Sequence, residues 1–396
     1  MKLSKRVEQV AQSATLAASQ KARDLKAQGI DVISLTVGES NYSTPEYISK
    51  AAIKAIENGQ GNHYTPTSGM PELRQAIADA HKRLDDADYD IDQVFVGSGA
   101  KNVLFDLLKV LLDPEDEVIL PIPFWVSFAE QIKMSEGIPV FVKGDPEDLY
   151  RVTVEDLEAA RTDKTVAVLI NSPSNPTGAA YSLEEIKAIG EWAVEHNIVI
   201  IADEIYSRLM YNGNESVSFG SLSDEIKELT VIVNGVSKAY AMTGWRIGYA
   251  LGSKKIIAAL TKYASQASGN PAGVSQFAAM AAYNDETDEV EEMRQSFEQR
   301  LNKAYDLIQT VPGFKLAKKP EGAFYLFPDV SEAAKMTGYD SVDDFNLALI
   351  EEAHVVTVIG SSFGVKECLR FSYAVDEETF AEGIRRIKEF IEKNTK

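Results

Sequence analysis

A lysine set among small residues is the first candidate for chemistry. Lys238 lies in Asn234-Gly235-Val236-Ser237-Lys238-Ala239-Tyr240-Ala241-Met242-Thr243-Gly244-Trp245-Arg246, with an arginine eight positions on. Gly, Ala and Ser neighbours hydrate an ammonium poorly, and desolvation lowers its pKa. A neutral amine is a nucleophile towards an aldehyde, which makes Lys238 a candidate Schiff-base residue. An exposed lysine after a strand is the plain alternative. Ser98-Gly99-Ala100-Lys101-Asn102 joins a short apolar strand to a helix. The free N–H groups and positive dipole end of such a turn suit a phosphate, although an ordinary strand–helix turn reads the same way. Lys101 opposes that dipole by about 0.3–1 kcal/mol, which an anion bound nearby would explain. Arg370 sits among apolar neighbours in Cys368-Leu369-Arg370-Phe371-Ser372-Tyr373. A buried arginine needs an anion, either an internal carboxylate or a ligand carboxylate held by the guanidinium fork.

The elements that must position these groups follow from periodicity. A helix is expected over 13–27, with Gly29 as its stop, and another over 46–58. Strands are expected at 30–37, 94–97, 117–120, 140–142, 165–170, 198–202, 230–233 and 245–251, with helical stretches between them. The run 198–202 is apolar enough for a parallel sheet buried on both faces. Such alternation indicates a doubly wound α/β domain, with the candidate residues at or just beyond the carboxyl ends of strands, where ligands bind. From Asp285 a single helix runs to near Val311, roughly 40 Å at 1.5 Å per residue. Its acidic start and later basic residues suit the helix dipole. Strands at 323–326, 355–358 and 369–373 follow. The expected division is an N-terminal segment 1–45 packing with the small domain, a large domain 46–284, and the connecting helix with a small domain at 285–396.

Ser237-Lys238 with Gly244-Trp245-Arg246, Asn171-Ser172-Pro173-Ser174-Asn175-Pro176-Thr177-Gly178, Asp203-Glu204-Ile205-Tyr206 and Arg370 occur together here. In combination they resemble the class I/II aminotransferases of fold type I, which use pyridoxal 5′-phosphate. The chain is most similar to bacterial aspartate aminotransferases of subgroup Ib, over 13–373. The resemblance implies an α/β fold: a doubly wound, mostly parallel seven-stranded sheet plus a smaller α+β domain. It implies that Lys238 carries the cofactor and shuttles the substrate's α-proton, while Asp203 pairs with the pyridinium nitrogen. An aspartate at a strand end is otherwise most often a helix N-cap. Tyr206 and Asn175 would reach the ring 3′ oxygen. Trp125 would stack on the ring, although core packing is the commoner fate of tryptophan. Gly99, Ala100, Lys101, Ser237 and Arg246 would hold the phosphate, joined by Tyr64 from the neighbouring subunit of a homodimer. Cis bonds are implied before Pro123 and Pro176.

The implied reaction moves an amino group between aspartate and 2-oxoglutarate in a ping-pong cycle. Arg370 would hold the substrate α-carboxylate, with Gly38, Trp125 and Asn175 around it. Many relatives bind the distal carboxylate with an arginine from the other subunit, but 265–275 contains none. The subgroup instead implies Lys101 with Ser13 and Thr15. One lysine is a less directional clamp than an arginine fork, so aromatic amino acids or prephenate are the alternative substrates. A pyridoxal-phosphate lyase of the same fold would keep every cofactor residue; an amino-acid-sensing module built on the fold, the other alternative, would normally carry an added DNA-binding domain.

Composition narrows the partners. The chain has 60 acidic and 40 basic residues, a formal charge of −20. That balance disfavours nonspecific nucleic-acid and anionic-membrane binding, and no apolar run reaches membrane-span length. Cys368 is the only cysteine, so no intrachain disulfide forms and a cytoplasmic location is expected. His63, His81, His196 and His354 lack metal-ligand spacing, and no metal is expected.

Overall fold

The computed structural model describes residues 2–8, 10–11, 13–284 and 287–395. Its central sheet has seven strands in the order β2-β8-β7-β6-β5-β3-β4. These are β2 (Val94–Gly97), β3 (Glu117–Ile122), β4 (Ile138–Lys143), β5 (Thr165–Asn171), β6 (Val199–Asp203), β7 (Thr230–Gly235) and β8 (Gly248–Leu251). Neighbours pair in parallel except β8, which runs antiparallel to both β2 and β7. This is the mostly parallel, helix-covered α/β sheet expected.

The apolar runs are continuous because both faces are covered. Alternate side chains of β6 and β7 enter opposite cores: Ile200 and Ile232 one, Ile201 and Val231 the other, all essentially unexposed. Full burial of each such side chain contributes roughly 1.5–3 kcal/mol. The antiparallel β8 has a consequence for the site. Its N-terminal end lies at the same sheet edge as the C-terminal ends of its neighbours, so a residue just before β8 joins those just after β6 and β7.

A third core is built on the long helix Asp288–Ile308 and includes Phe297, Phe324, Phe345 and Phe371. Around it lie β9 (Tyr325–Leu326), β11 (Val358–Ile359) and β12 (Leu369–Ser372), which form one antiparallel sheet. The strand β1 (Ile33–Ser34) pairs in parallel with β10 (Val355–Val356), which ties residues from the start of the chain to this core. The expected start of the long helix at Asp285 and Glu286 lies outside the described residues.

Three local expectations are corrected. The strand expected at 30–37 pairs only over β1, because its partner β10 is two residues long. The strand expected from Trp245 begins at Gly248. Thr243–Trp245 is a 3-10 turn, and Arg246 has a left-handed backbone (φ 57°) that no strand accommodates. In the 171–178 loop the cis bond precedes Pro173, not Pro176, while Ile122-Pro123 is cis as expected. Two X–Pro bonds three residues apart give the sequence no means of telling which is cis.

Candidate active site

A cavity of about 630 Å³ lies between the strand ends and the helix Ala14–Ala27. Every expected site residue lines it except Gly99 and Tyr64.

Lys238 follows β7 in a tight turn, where Ala241 N donates to Lys238 O at 3.3 Å and Met242 N to Ser237 O at 3.3 Å. Its Nζ donates to the Gly38 carbonyl at 2.5 Å. The side chain is half-buried by exposed area, but protein atoms surround it densely. Loss of solvation pushes its pKa down to about 8, opposed by the charges of Glu39 and Asp203 and assisted by Arg370 and Arg246. Lys238 is therefore not the exposed lysine of the plain reading.

Asp203 ends β6 with 7% of its surface exposed. Burial pushes its carboxyl up to about 7, opposed first by the Ile205 N–H and then by Lys238. That N–H donates to Asp203 Oδ1 at 3.2 Å. Asn171 Nδ2 donates to the Asp203 carbonyl at 3.0 Å, and Asn171 Oδ1 accepts from Asn175 N at 2.9 Å. Adjacent strand ends are thus bolted together by an amide.

Arg370 is 1% exposed. Its Nη1 donates to Asn175 Oδ1 at 2.9 Å and its Nη2 to the Thr36 carbonyl at 2.8 Å, while Nε has no partner. The guanidinium lies 4.4 Å from the Tyr325 ring centroid and 5.2 Å from that of Phe363. Burial lowers its pKa. No carboxylate pairs with it among the described residues, so the internal salt bridge is not how this charge is met.

The phosphate-type turn is shaped by glycine. Gly99 has φ 92°, and a Cβ there would stand 2.3 Å from Arg246 Nη2. A Cβ on Gly248 would stand 2.1 Å from Ala100 N. Only glycine lets Arg246 and β8 press against the start of the helix Ala100–Leu111, whose first N–H groups have no intrahelical acceptor. Arg246 Nη1 donates to Thr243 O at 2.8 Å, and no carboxylate pairs with Arg246 among the described residues. Lys101 Nζ lies 5.0 Å from the centroid of the Trp125 ring. Burial, then Arg246, lowers the Lys101 pKa.

On the helix side, Ser13 caps the helix Ala14–Ala27 by accepting from Leu16 N at 3.5 Å. The Thr15 hydroxyl is buried without a partner. Sequence reasoning missed Thr36, Tyr325, Ser19, Arg23 and Lys26, all on the cavity wall. Tyr325 OH lies 2.9 Å from Tyr206 OH, and Thr36 Oγ1 lies 3.1 Å from Ser19 Oγ. The spacing of Ser19, Arg23 and Lys26 at i, i+4 and i+7 is a readable helical face. Tyr64, at 99% exposure, stands apart from the cavity of its own chain.

A family model described as Aminotransferase class I and II matches residues 30–387. The chain belongs to the class I and II aminotransferases. The aspartate aminotransferase of Bacillus subtilis is 49% identical over 395 residues, covering 100% of both chains. The asparagine–oxo-acid transaminase of Streptococcus mutans is 48% identical, covering 99% of this chain and 100% of its own. The solved structure of the Thermus thermophilus aspartate aminotransferase with maleate is 36% identical, with a TM-score of 0.92 over 98% of this chain and 100% of that one. Membership implies use of pyridoxal phosphate by this aminotransferase, and its cavity fits that group. It offers a cation and helix N–H groups free of carboxylates, a buried carboxyl, and a desolvated lysine amine within one enclosure. Among the described residues no helix is long and apolar enough to cross a membrane, and no group of three or more His, Cys, Asp or Glu side chains is placed to hold a metal ion.

Proposed function

We propose that this aminotransferase moves an amino group between aspartate and 2-oxoglutarate. The observation that carries the reading is Arg370, a buried guanidinium with an unpartnered Nε lining the same cavity as Lys238 and Asp203. A charge so placed is costly unless an anion meets it, and the α-carboxylate common to amino and 2-oxo acids is that anion. Asn175 and Thr36 fix the fork before substrate arrives.

Pyridoxal 5′-phosphate, when bound, supplies an aldehyde to join to the Lys238 amine and a ring that withdraws electrons from the substrate α-carbon. Gly99, Ala100, Ser237 and Arg246 would hold its phosphate, with Lys101 contributing its backbone N–H rather than its side chain. Asp203 would pair with the ring nitrogen, Asn175 and Tyr206 would bond the ring oxygen, and Trp125 would cover the ring. Once the substrate amine has taken its place at the aldehyde, the freed Lys238 Nζ would take the proton from the substrate α-carbon and deliver it to the former aldehyde carbon. Its lowered pKa, about 8, keeps a useful fraction of the amine neutral near neutral pH.

For the distal carboxylate the reading assigns Lys101, Ser13 and Thr15. A lysine with no carboxylate partner among the described residues favours an anionic group over the neutral amide of asparagine, and the unpartnered Thr15 hydroxyl offers that group a further donor. The deciding measurement is kcat/KM for aspartate, asparagine and phenylalanine in wild type and Lys101→Ala. The substitution is expected to lower the aspartate value about tenfold or more and to spare phenylalanine. Equal loss on all three, or aspartate as the poorest wild-type substrate, would sink the dicarboxylate assignment.

The reading includes a homodimer in which Tyr64 completes the phosphate site of the other copy. Its support is the full exposure of Tyr64, together with exposed Ile53 and Ile56 on the helix Glu46–Glu57.

A further inference from the structure

The cavity carries the opposite charge to the chain. Against an excess of acidic residues overall, the cavity wall holds Arg23, Lys26, Lys101, Lys238, Arg246 and Arg370 and only two carboxylates, Glu39 and Asp203. Four of these cations have a place in the reading above; Arg23 and Lys26 do not. Both are solvent-exposed, on the later turns of the helix Ala14–Ala27. They continue the face that begins at Thr15 and Ser19, so the cavity passes from buried groups at the strand ends to free cations at its rim. Neither makes an ion pair among the described residues. The Arg23 guanidinium donates to the neutral Gln20 Oε1 at 3.2 and 2.6 Å, while the nearby Asp24 carboxylate accepts from Gln20 Nε2 at 2.7 Å.

We propose that Arg23 and Lys26 form an electrostatic collar that concentrates anionic substrates at the cavity mouth. The collar discriminates by net charge and not by side-chain shape. The inference rests on the dicarboxylate reading, because only substrates with net negative charge gain from it. A cleft lined by one sign of charge raises the local concentration of an oppositely charged ligand. A chain of charge −20 otherwise repels a dianion. The effect reaches about one Debye length, ~10 Å at 0.1 M salt. The energy scales with ligand charge, so the effect on 2-oxoglutarate, with two negative charges, is the square of that on aspartate, with one. A zwitterion such as alanine feels none.

The test uses holoenzyme and measures kcat/KM for each half-reaction at low and high ionic strength. At low salt, Arg23→Gln with Lys26→Gln is expected to lower kcat/KM about tenfold for 2-oxoglutarate and about threefold for aspartate. Alanine is expected to be unaffected and kcat unchanged throughout. Near 1 M salt, where the Debye length is about 3 Å, the losses should vanish. The charge-preserving pair Arg23→Lys with Lys26→Arg should behave as wild type. Losses that persist in high salt, that fall equally on aspartate and alanine, or that appear in kcat would overturn the collar in favour of direct contact or structural damage. Wild-type preference for aspartate over phenylalanine tests the dicarboxylate reading by itself. The variant-to-wild-type ratio for 2-oxoglutarate decides the collar whichever way that preference falls.

Discussion

The two walls of the cavity are built on opposite principles. The strand-end wall holds Lys238, Asp203 and Asn175 at the ends of adjacent strands, cross-bonded through Asn171 and buried enough to move pKa values. The helix wall holds Ser13, Thr15, Ser19, Arg23 and Lys26 on a single helix, with its charges in water. Proton transfer needs groups fixed within fractions of an ångström and shielded from solvent. Discrimination between substrate charges needs only the right sign near the entrance. Arg370 bridges the two, since it touches Asn175 from the strand-end wall and the Thr36 carbonyl, whose side chain bonds Ser19 on the helix.

The largest effect expected from breaking this contrast is at Lys238. Lys238→Ala removes both the covalent attachment and the proton shuttle, and activity should fall by at least about 10⁴-fold. The wild-type protein should be yellow, with an absorbance that borohydride bleaches. Substantial activity in the variant would mean that another group moves the proton.

A smaller effect, visible without cofactor, concerns Asp203. Its folded pKa is raised to about 7 from the ordinary 3.8, so the folded state holds the proton more tightly than the unfolded chain does. Between these values stability falls as pH rises, and above pH 7 the cost is at its full size, at most about 4 kcal/mol at 1.36 kcal/mol per unit. Asp203→Asn removes that dependence. The thermal midpoint of cofactor-free Asp203→Asn minus that of wild type should be larger at pH 8 than at pH 5. A difference that stays constant or shrinks would show that Asp203 is not strained by burial.

The two walls were unequally legible in the sequence, for a physical reason. Strand-end residues sit within a few positions of the apolar runs that place them, so Lys238, Asp203 and the Ser98–Lys101 turn could be read locally. Tyr325 and Thr36 reach the cavity only because β9 and the β1 segment pack there, a tertiary fact that no local pattern carries. Arg23 and Lys26 looked like ordinary solvated helix charges, and only the cavity beside them distinguishes them. The sheet was read well because burial on both faces leaves unbroken apolar runs, whereas the length of β1 depended on how short its partner is.

Tyr64 belongs to neither wall of its own chain, and it tests whether the contrast is complete within one copy. It is an exposed aromatic in a turn-rich loop, outside the cavity that it is proposed to serve. If it reaches the phosphate of a second copy, Tyr64→Phe alone should cost about tenfold to a hundredfold in activity, the scale of one hydrogen bond to a charged group. Complementation isolates the geometry. Lys238→Ala subunits mixed with Tyr64→Phe subunits form hybrid dimers, and one of the two sites in each has both Lys238 and Tyr64. That site should turn over at the wild-type rate, so the mixture should exceed the average of its two parents. The gain should be lost when exchange between subunits is blocked. A mixture that matches the parental average would mean that Tyr64 acts within its own chain or not at all. The strand-end and helix walls of a single copy would then contain the whole site.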